Sequence, residues 1–182
     1  MPHPTRIVAV VALATTLSAC GGLGASNVSD DRGRPGDGVV VRVVDGDTVR
    51  IRIAGQSDDE AVRLIGIDTP ETHGPGGLRE CFGQEATRRL EELLPEGSGV
   101  RVVRDAEPRD RFGRLLAYVY RRKDDLFVNL AMAEEGFAAP LTIPPNVAHR
   151  DAFVAAAADA RRRSVGLWAR CGGADTPLGS SP

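Results

Sequence analysis

The sequence predicts an α+β domain built on a small curled β barrel. Three strand-like segments, one helix-like segment, two further strands and two further helices follow one another along the chain. The 182 residues, of which 42% are hydrophobic, suit one domain with a substantial core. With 26% charged residues, this composition excludes an intrinsically disordered or collagen-like chain.

The first three predicted strands begin with a hairpin. Residues 39–44 are apolar and largely β-branched, and residues 48–53 alternate valine or isoleucine with arginine. The Asp-Gly dipeptide at residues 45–46 is typical of a tight hairpin turn. A second turn at residues 55–59 leads into a third strand at residues 61–67.

The remaining elements are predicted from helical periodicity and from short β-branched runs. Residues 83–94 place Ala86, Leu90 and Leu93 on one face of a helix. Strands follow at residues 100–103 and 115–120, and helices at residues 129–135 and 148–165. Beyond them we expect Trp168 to anchor part of the core.

The first 19 residues have the pattern of a lipoprotein signal peptide. Arg6 gives a basic start, and the apolar run at residues 7–17 is too short for a mature transmembrane helix. The run ends in Leu-Ser-Ala-Cys, which resembles a bacterial lipobox. We therefore expect lipidation of Cys20, export, and anchoring at the extracytoplasmic face of the cell membrane. The alternative is an ordinary signal peptide in which this cysteine is incidental.

Composition predicts the other domain boundaries. Residues 20–37 are rich in Gly, Ser, Asp and Arg and are predicted to form a flexible tether from the lipidated cysteine. The folded domain is predicted at residues 38–171. Residues 172–182 are rich in Gly, Ser and Pro and are predicted to be a disordered tail.

The cysteines favour one disulfide bond. If Cys20 is acylated, Cys81 and Cys171 remain, and an even remainder in an exported protein indicates a bridge. It would add about 4 kcal/mol to stability in the chain-entropy description. Two separate free thiols are the alternative. A zinc site is disfavoured, since neither cysteine has a neighbouring histidine.

Overall charge excludes one class of nucleic-acid binder. The formal net charge is −2 and the pI is near 5.9, so the surface is not a general basic coat. Recognition of a polyanion would therefore depend on where individual arginines lie.

Three short segments concentrate polar groups at the ends of predicted strands. They are Asp-Gly-Asp-Thr at residues 45–48, Arg-Leu-Ile-Gly-Ile-Asp-Thr-Pro-Glu at residues 63–71, and Asp-Arg-Phe-Gly-Arg at residues 110–114. Taken singly, each is explained by turn chemistry or by a solvated strand residue. Their occurrence together favours a functional site.

These segments together resemble the thermonuclease, or staphylococcal-nuclease-like, family. The Asp-Gly-Asp-Thr turn, the Arg…Asp-Thr-Pro-Glu strand end and the Gly-Arg-Leu-Leu-Ala-Tyr strand have the family's order and spacing, and Gly-Leu-Trp at residues 166–168 also matches. The resemblance covers about residues 40–168. It implies a five-stranded OB-fold-type β barrel with three α-helices, and a calcium-dependent endonuclease that hydrolyses phosphodiester bonds of DNA and RNA.

The resemblance implies a Ca²⁺ site at Asp47 and Asp68, with the backbone carbonyl of Thr69 as a further ligand. Asp45 is expected to order the turn. Oxygen ligands without Cys or His suit Ca²⁺ and argue against zinc.

The resemblance also implies three catalytic residues. Arg63 and Arg114 would hold the scissile phosphate, and Glu71 would stand beside the attacking water. Two guanidinium groups and a cation can neutralise a phosphodiester and stabilise the added charge of its transition state. Whether Glu71 removes a proton or only orients the water stays open.

Two positions depart from the family pattern. Phe112 stands where relatives often have tyrosine, and residues 141–144 lack the aromatics that relatives often carry there. Because stacking contributes about 1–3 kcal/mol per base, a weaker or different nucleotide preference is expected.

The leading hypothesis is therefore a monomeric, membrane-anchored nuclease acting on DNA and RNA. A non-catalytic nucleic-acid-binding module on the same barrel is the alternative, since fold alone does not determine activity. A third is an anchored interaction domain of the cell envelope. Retention of Glu71 and both arginines favours the enzyme.

Overall fold

The computed structural model describes Met1, residues 35–73 and residues 79–179. The chain divides into two units, Met1–Asp30 and Asp31–Pro182, and only the second is described beyond a single residue. The predicted signal peptide, Cys20 and most of the predicted tether lie outside the described residues. Within the described part, no helix has the length and apolar character needed to cross a membrane.

A closed five-stranded barrel forms the centre of the second unit, which confirms the predicted fold class. Its strands are β1 (Pro35–Asp45), β2 (Thr48–Ile53), β3 (Asp59–Leu64), β5 (Gly99–Val103) and β6 (Leu115–Arg121). Antiparallel pairing runs in the order β3-β2-β1-β5-β6. A parallel pairing of Val62–Leu64 in β3 with Leu115–Ala117 in β6 closes the barrel.

Three short strands lie outside the barrel proper. They are β4 (Gly66–Asp68), β7 (Leu126–Phe127) and β8 (Ala139–Leu141). Four helices complete the described residues: α1 (Gly83–Leu93), α2 (Val128–Glu134), α3 (Arg150–Arg162) and α4 (Leu167–Arg170).

Side chains alternate along each strand between the interior and the outer face, and the inward-facing ones form the barrel core. Val49, Ile51, Val62 and Leu64 point inward and are fully buried, while the arginines of β2 lie on the outer face. The apolar face of α1 packs on the barrel through Leu90, as the helical periodicity predicts.

The third predicted strand is divided in the structure. The sequence predicts one strand over residues 61–67, but β3 ends at Leu64 and β4 begins at Gly66. Gly66 has φ of +86°, which a continuous strand cannot accommodate, and its α-carbon lies against the ring of Phe153. After this break, β4 leaves the barrel and pairs with β8.

A buried asparagine stabilises the break between β3 and β4. The Asn129 side chain is fully buried; its Nδ2 donates to the carbonyls of Ile65 and Ala117, and its Oδ1 accepts from the amide of Val119. One side chain thereby joins the backbone at the break to β6, alongside the hydrogen bond from the Ile65 amide to the Ala117 carbonyl.

The predicted disulfide between Cys81 and Cys171 is confirmed, with the two α-carbons 5.9 Å apart. The first residues of the predicted tail are attached beside it. The Cys81 amide donates to the carbonyl of Thr176 and the Leu178 amide to that of Arg79, both at 2.8 Å. The sequence predicts that residues 172–182 are disordered, but the described residues of this segment form hydrogen bonds with the domain.

Element ends differ from the sequence prediction in two further places. β1 starts at Pro35, so residues 35–37, predicted within the tether, pair with β5. The C-terminal anchor is also misassigned: Leu167 is fully buried, whereas Trp168 is only half-buried with Arg161 beside its ring. The single turn of α4 directs the leucine rather than the tryptophan into the core.

Candidate active site

The β1–β2 turn is tied to α1 through the Asp45 carboxylate. Its Oδ1 accepts hydrogen bonds from the amide of Gly46 at 2.8 Å, from the Thr87 hydroxyl at 3.0 Å and from the Thr72 hydroxyl at 3.2 Å. Thr87 lies on α1 and Thr72 follows Glu71, so one carboxylate joins three segments around the site. This role agrees with the expectation that Asp45 orders the turn.

Asp47 is the most buried carboxylate of the site, at 4% exposure. Its Oδ1 accepts from the Thr48 hydroxyl at 3.0 Å. Its Oδ2 accepts from the amide and hydroxyl of Thr69 at 3.2 and 3.1 Å, which brings two of the predicted metal-binding residues into contact. Such extensive hydrogen bonding keeps a buried carboxylate in one orientation.

Gly46 allows the turn to approach Thr69 this closely. A β-carbon on Gly46 would lie 2.6 Å from the Thr69 hydroxyl oxygen and 2.9 Å from the Ala86 β-carbon. These separations are shorter than van der Waals contact. Only glycine therefore fits between the Thr69 segment and α1.

Arg63 bridges the two predicted metal-binding carboxylates. Its Nη1 lies 3.0 Å from Asp47 Oδ2, and its Nη2 donates to Asp68 Oδ1 at 2.8 Å. Nη1 also donates to the carbonyls of Leu64 and Ile67 at 2.8 and 3.1 Å. The strand break places these carbonyls around one guanidinium, which fixes its plane.

Glu71 and Asp68 have raised pKa values. Partial burial and a hydrogen bond with the carboxyl of Asp45 raise the pKa of Glu71 to about 7. Partial burial also raises the pKa of Asp68, against the opposing effect of Arg63. Carboxylates held so close favour a nearby positive charge.

Arg114 is oriented by Asp110 across a tight turn. Its Nε donates to Asp110 Oδ2 at 2.7 Å, and its backbone amide donates to Oδ1 at 2.9 Å. The amide of Phe112 also donates to Oδ1 at 2.9 Å, and Gly113 takes φ of +81° between them. Although burial opposes it, these hydrogen bonds lower the pKa of Asp110, so that it remains a carboxylate.

The two arginines face one cavity of about 460 Å³. Arg63, Arg114 and the Asp110 carboxylate line this cavity, and the exposed side chains of Phe112 and Ile143 add apolar surface to it. Phe112 is 69% exposed and has the guanidinium groups of Arg111 and Arg114 near its ring. The cavity therefore combines cations with flat apolar surface, as a nucleotide requires.

The ligand atoms that the predicted metal site offers are all oxygen. Asp47 and Asp68 meet on one guanidinium and Thr69 contacts Asp47, so the three predicted ligand residues are neighbours. Among the described residues, no group of three or more His, Cys, Asp or Glu side chains has the arrangement of a metal cage. The chemistry fits a hard cation such as Ca²⁺ that keeps several waters, and it does not suit zinc.

The structure brings the predicted site residues into one neighbourhood, with two additions that the sequence analysis missed. Asp110 accepts a hydrogen bond from Arg114. Its position four residues before that arginine, with Gly113 between them, was the sequence pattern that could have indicated this contact. Glu80 accepts a hydrogen bond from the Glu71 amide, and no local pattern indicated it. The remaining predicted site, lipidation at Cys20, lies outside the described residues.

The chain is similar in sequence to known nucleases. A family model described as staphylococcal nuclease homologue matches residues 61–170. The thermonuclease of Staphylococcus intermedius is 40% identical over 132 residues, covering 72% of this chain and 76% of that protein. The thermonuclease of Staphylococcus hyicus is 33% identical over 129 residues, covering 71% and 73%. Endonuclease YncB of Bacillus subtilis (strain 168) is 33% identical over 132 residues, covering 72% and 61%.

Proposed function

Because the chain belongs to the staphylococcal nuclease homologue family, we propose that it is a calcium-dependent endonuclease that hydrolyses phosphodiester bonds of DNA and RNA. The observation that carries the proposal is the pairing of Arg63 with Asp47 and Asp68 beside a cavity that Arg114 also faces. Two guanidinium groups, two carboxylates and a carboxyl of raised pKa can together bind a phosphodiester, hold a cation and act on a water molecule.

The two arginines bind the scissile phosphate in this proposal. Each guanidinium is planar and can donate two parallel hydrogen bonds to phosphate oxygens. Asp110 sets the direction of the Arg114 fork, and the carbonyls of Leu64 and Ile67 set that of Arg63. As charge grows on the phosphate oxygens, these fixed donors stabilise the transition state more than the ground state.

Asp47, Asp68 and the backbone of Thr69 would hold the calcium ion. Bound there, the ion would supply positive charge against the phosphate and against the clustered carboxylates. The hydrogen bonds of Thr48 and Thr69 would keep the Asp47 carboxylate in place whether or not it binds a cation.

Glu71 accepts a proton from the attacking water, or holds that water in line. Its pKa near 7 is suited to proton acceptance at neutral pH, where half or more of a group with that pKa is ionised. The neighbouring Asp45 carboxyl opposes ionisation of Glu71 and so helps to hold its pKa in this range.

The direct test is cleavage by the purified protein. Single-stranded DNA, duplex DNA and RNA are each incubated with Ca²⁺ or with excess EGTA, and Glu71→Gln and Arg88→Ala are assayed in parallel. We expect calcium-dependent cleavage by the wild type, and a cleavage rate lower by about 10²-fold or more in Glu71→Gln. Arg88, exposed on α1 and paired with Glu85, is a matched control whose variant should cleave normally. Calcium-independent binding without cleavage would favour a nucleic-acid-binding module instead.

We further propose that the protein is exported and anchored by lipid at Cys20. The Leu-Ser-Ala-Cys motif supports this, and a disulfide is expected of an oxidising compartment. Expression in a bacterial host, followed by detergent phase partition, tests it. Wild-type protein should enter the detergent phase and Cys20→Ala should remain in the aqueous phase. Equal partition of the two would contradict lipidation.

A further inference from the structure

The Glu71 backbone is paired with Glu80 in both directions. The Glu71 amide donates to Glu80 Oε2 at 2.8 Å, and the Glu80 amide donates to the Glu71 carbonyl at 2.9 Å. A side chain starts from its own main chain, so this pairing fixes the origin of the Glu71 carboxyl. Glu80 itself lies outside the cavity that Arg63 and Arg114 face.

Glu80 is in turn attached to the C-terminal segment. Glu80 forms an isolated antiparallel β-bridge with Pro177, and the adjacent Cys81 is disulfide-bonded to Cys171. The Cys81 amide donates to the Thr176 carbonyl at 2.8 Å, which adds a hydrogen bond to the covalent link. The segment that follows the last helix therefore pairs with Glu80 and with the adjacent Cys81.

The start of α1 packs against the same backbone. A β-carbon on Gly83 would lie 2.9 Å from the carbonyl oxygens of both Pro70 and Glu71. The start of the helix and Glu80 thus meet at the main chain of Glu71, and the C-terminal segment contacts Glu80. A contact this close leaves the Glu71 backbone little freedom to shift without moving Glu80.

We propose that Glu80 is a positioning residue for Glu71 and that the Cys81–Cys171 disulfide holds Glu80 in place. This inference rests on the proposed nuclease function, with Glu71 acting on the water. A displacement of about 1 Å in a reacting group can lower a rate by about 10²-fold. The effect should appear in kcat, since substrate binding depends chiefly on the two cavity arginines.

The first experiment compares kcat and KM for calcium-dependent cleavage by wild type, Glu80→Ala and Glu80→Gln. Alanine removes the hydrogen-bond acceptor, and glutamine keeps one. We expect kcat to fall about tenfold in Glu80→Ala with KM within about twofold, and Glu80→Gln to retain about a third or more of kcat. Glu91→Ala, exposed on α1, is the matched control and should be unchanged. A wild-type kcat in Glu80→Ala would overturn the proposal.

A double-mutant cycle separates positioning from a general effect on folding. Glu80→Ala is placed in the Glu71→Gln background, and cleavage is followed with enzyme in excess over a labelled oligonucleotide. If Glu80 acts through Glu71, the second substitution should change the residual rate by less than about twofold. An equal tenfold loss in both backgrounds would show a merely structural role and overturn the proposal.

The disulfide is tested with the Cys81→Ser, Cys171→Ser double variant at a temperature where near-ultraviolet circular dichroism shows it folded. We expect a lower kcat than wild type, with no further loss when Glu80→Ala is added. Full kcat in the folded variant would overturn the role of the bridge. An inactive wild type would overturn the nuclease function as well, and it is distinguishable because every variant, Glu91→Ala included, would then be inactive.

Discussion

Arg63 Nη1 lies 3.0 Å from Asp47 Oδ2, inside a site where both side chains are almost completely covered. The same guanidinium reaches Asp68 with its second nitrogen. A single arginine thus compensates both carboxylates that are proposed to bind calcium. Since the arginine is also proposed to hold phosphate, its charge affects cation binding and substrate binding in opposite directions.

Replacing Arg63 by alanine should strengthen calcium binding while abolishing cleavage. Removing a positive charge beside the two carboxylates should raise the Ca²⁺ affinity about tenfold, because like-charge repulsion is lost. Cleavage should fall by about 10²-fold or more. Calorimetric titration measures the first effect. Arg50→Ala, which removes a guanidinium paired with Asp59, is the control and should leave the affinity unchanged. Weaker calcium binding by Arg63→Ala would contradict this assignment.

Asp110→Asn should disturb the orientation of the Arg114 side chain while preserving the turn. Asparagine can still accept from the amides of Phe112 and Arg114, but its amide nitrogen cannot accept from the Arg114 Nε. We expect kcat/KM to fall about tenfold, with the free energy of unfolding reduced by about 1 kcal/mol or less.

The matched control for this substitution is Asp159→Asn, which also removes a carboxylate that pairs with arginine, but at a solvent-exposed position of α3. It should cleave at the wild-type rate. Equal rates for Asp110→Asn and wild type would mean that Asp110 does not set the Arg114 side chain for catalysis.

Gly46→Ala should damage the metal site through a steric effect. The new β-carbon would push against Thr69 and Ala86, so the turn must move away from Asp47's hydrogen-bond partners. We expect a loss of about 1–3 kcal/mol in stability, as for other overpacked sites, together with weaker Ca²⁺ binding. Urea unfolding and calcium titration measure the two effects. Gly99→Ala, whose β-carbon would lie 3.5 Å from Arg122, should change neither.

The stability of calcium-free protein should fall as pH rises through the titration of Glu71. The folded protein raises the pKa of Glu71 from 4.5 to about 7, so between these values the folded state binds a proton that the unfolded state has released. The contribution is present below about pH 4.5 and is lost as the pH approaches 7. Urea midpoints measured in EDTA should therefore decrease across this window.

Glu71→Gln isolates that contribution, because every other titrating group is common to both proteins. The difference in unfolding free energy between variant and wild type should grow from acid to neutral pH. Saturating Ca²⁺ should reduce it, since a nearby cation favours the charged carboxylate. Parallel pH curves for the two proteins in EDTA would show that Glu71 titrates normally.

Local sequence signals predicted the barrel and the neighbourhood of the site, and longer-range contacts account for what they missed. The Asp-Gly turn and the alternation in β2 are local, so the hairpin was predicted correctly. The apolar run through Ile67 gave no sign of the strand break, which depends on Gly66 packing against Phe153 in a distant helix. Its partner strand β8 contains Pro140, a residue that local propensity places outside sheets.

One site residue, Glu80, and one core residue, Asn129, could not be assigned from local sequence, because their partners are distant in the chain. Glu80 contacts the Glu71 backbone from nine positions further along the chain, and the adjacent Cys81 is bonded to Cys171, ninety positions beyond it. The Asn129 side chain donates hydrogen bonds to Ile65, at the strand break, and to Ala117, in β6. The hydrogen bonds of both side chains form only once the tertiary structure has brought their partners close.

The parallel pairing between β3 and β6 makes the cavity depend on a late folding event. Val62 pairs with Leu115 and Arg63 with Leu116, so the strands that carry or flank the two cavity arginines are the ones that close the barrel. Contacts between segments so far apart in sequence form slowly, because a long loop must first be ordered. A folding intermediate with an open sheet would hold Arg63 and Arg114 apart. Cleavage activity during refolding should therefore appear with barrel closure, as a kinetic marker of the last long-range pairing.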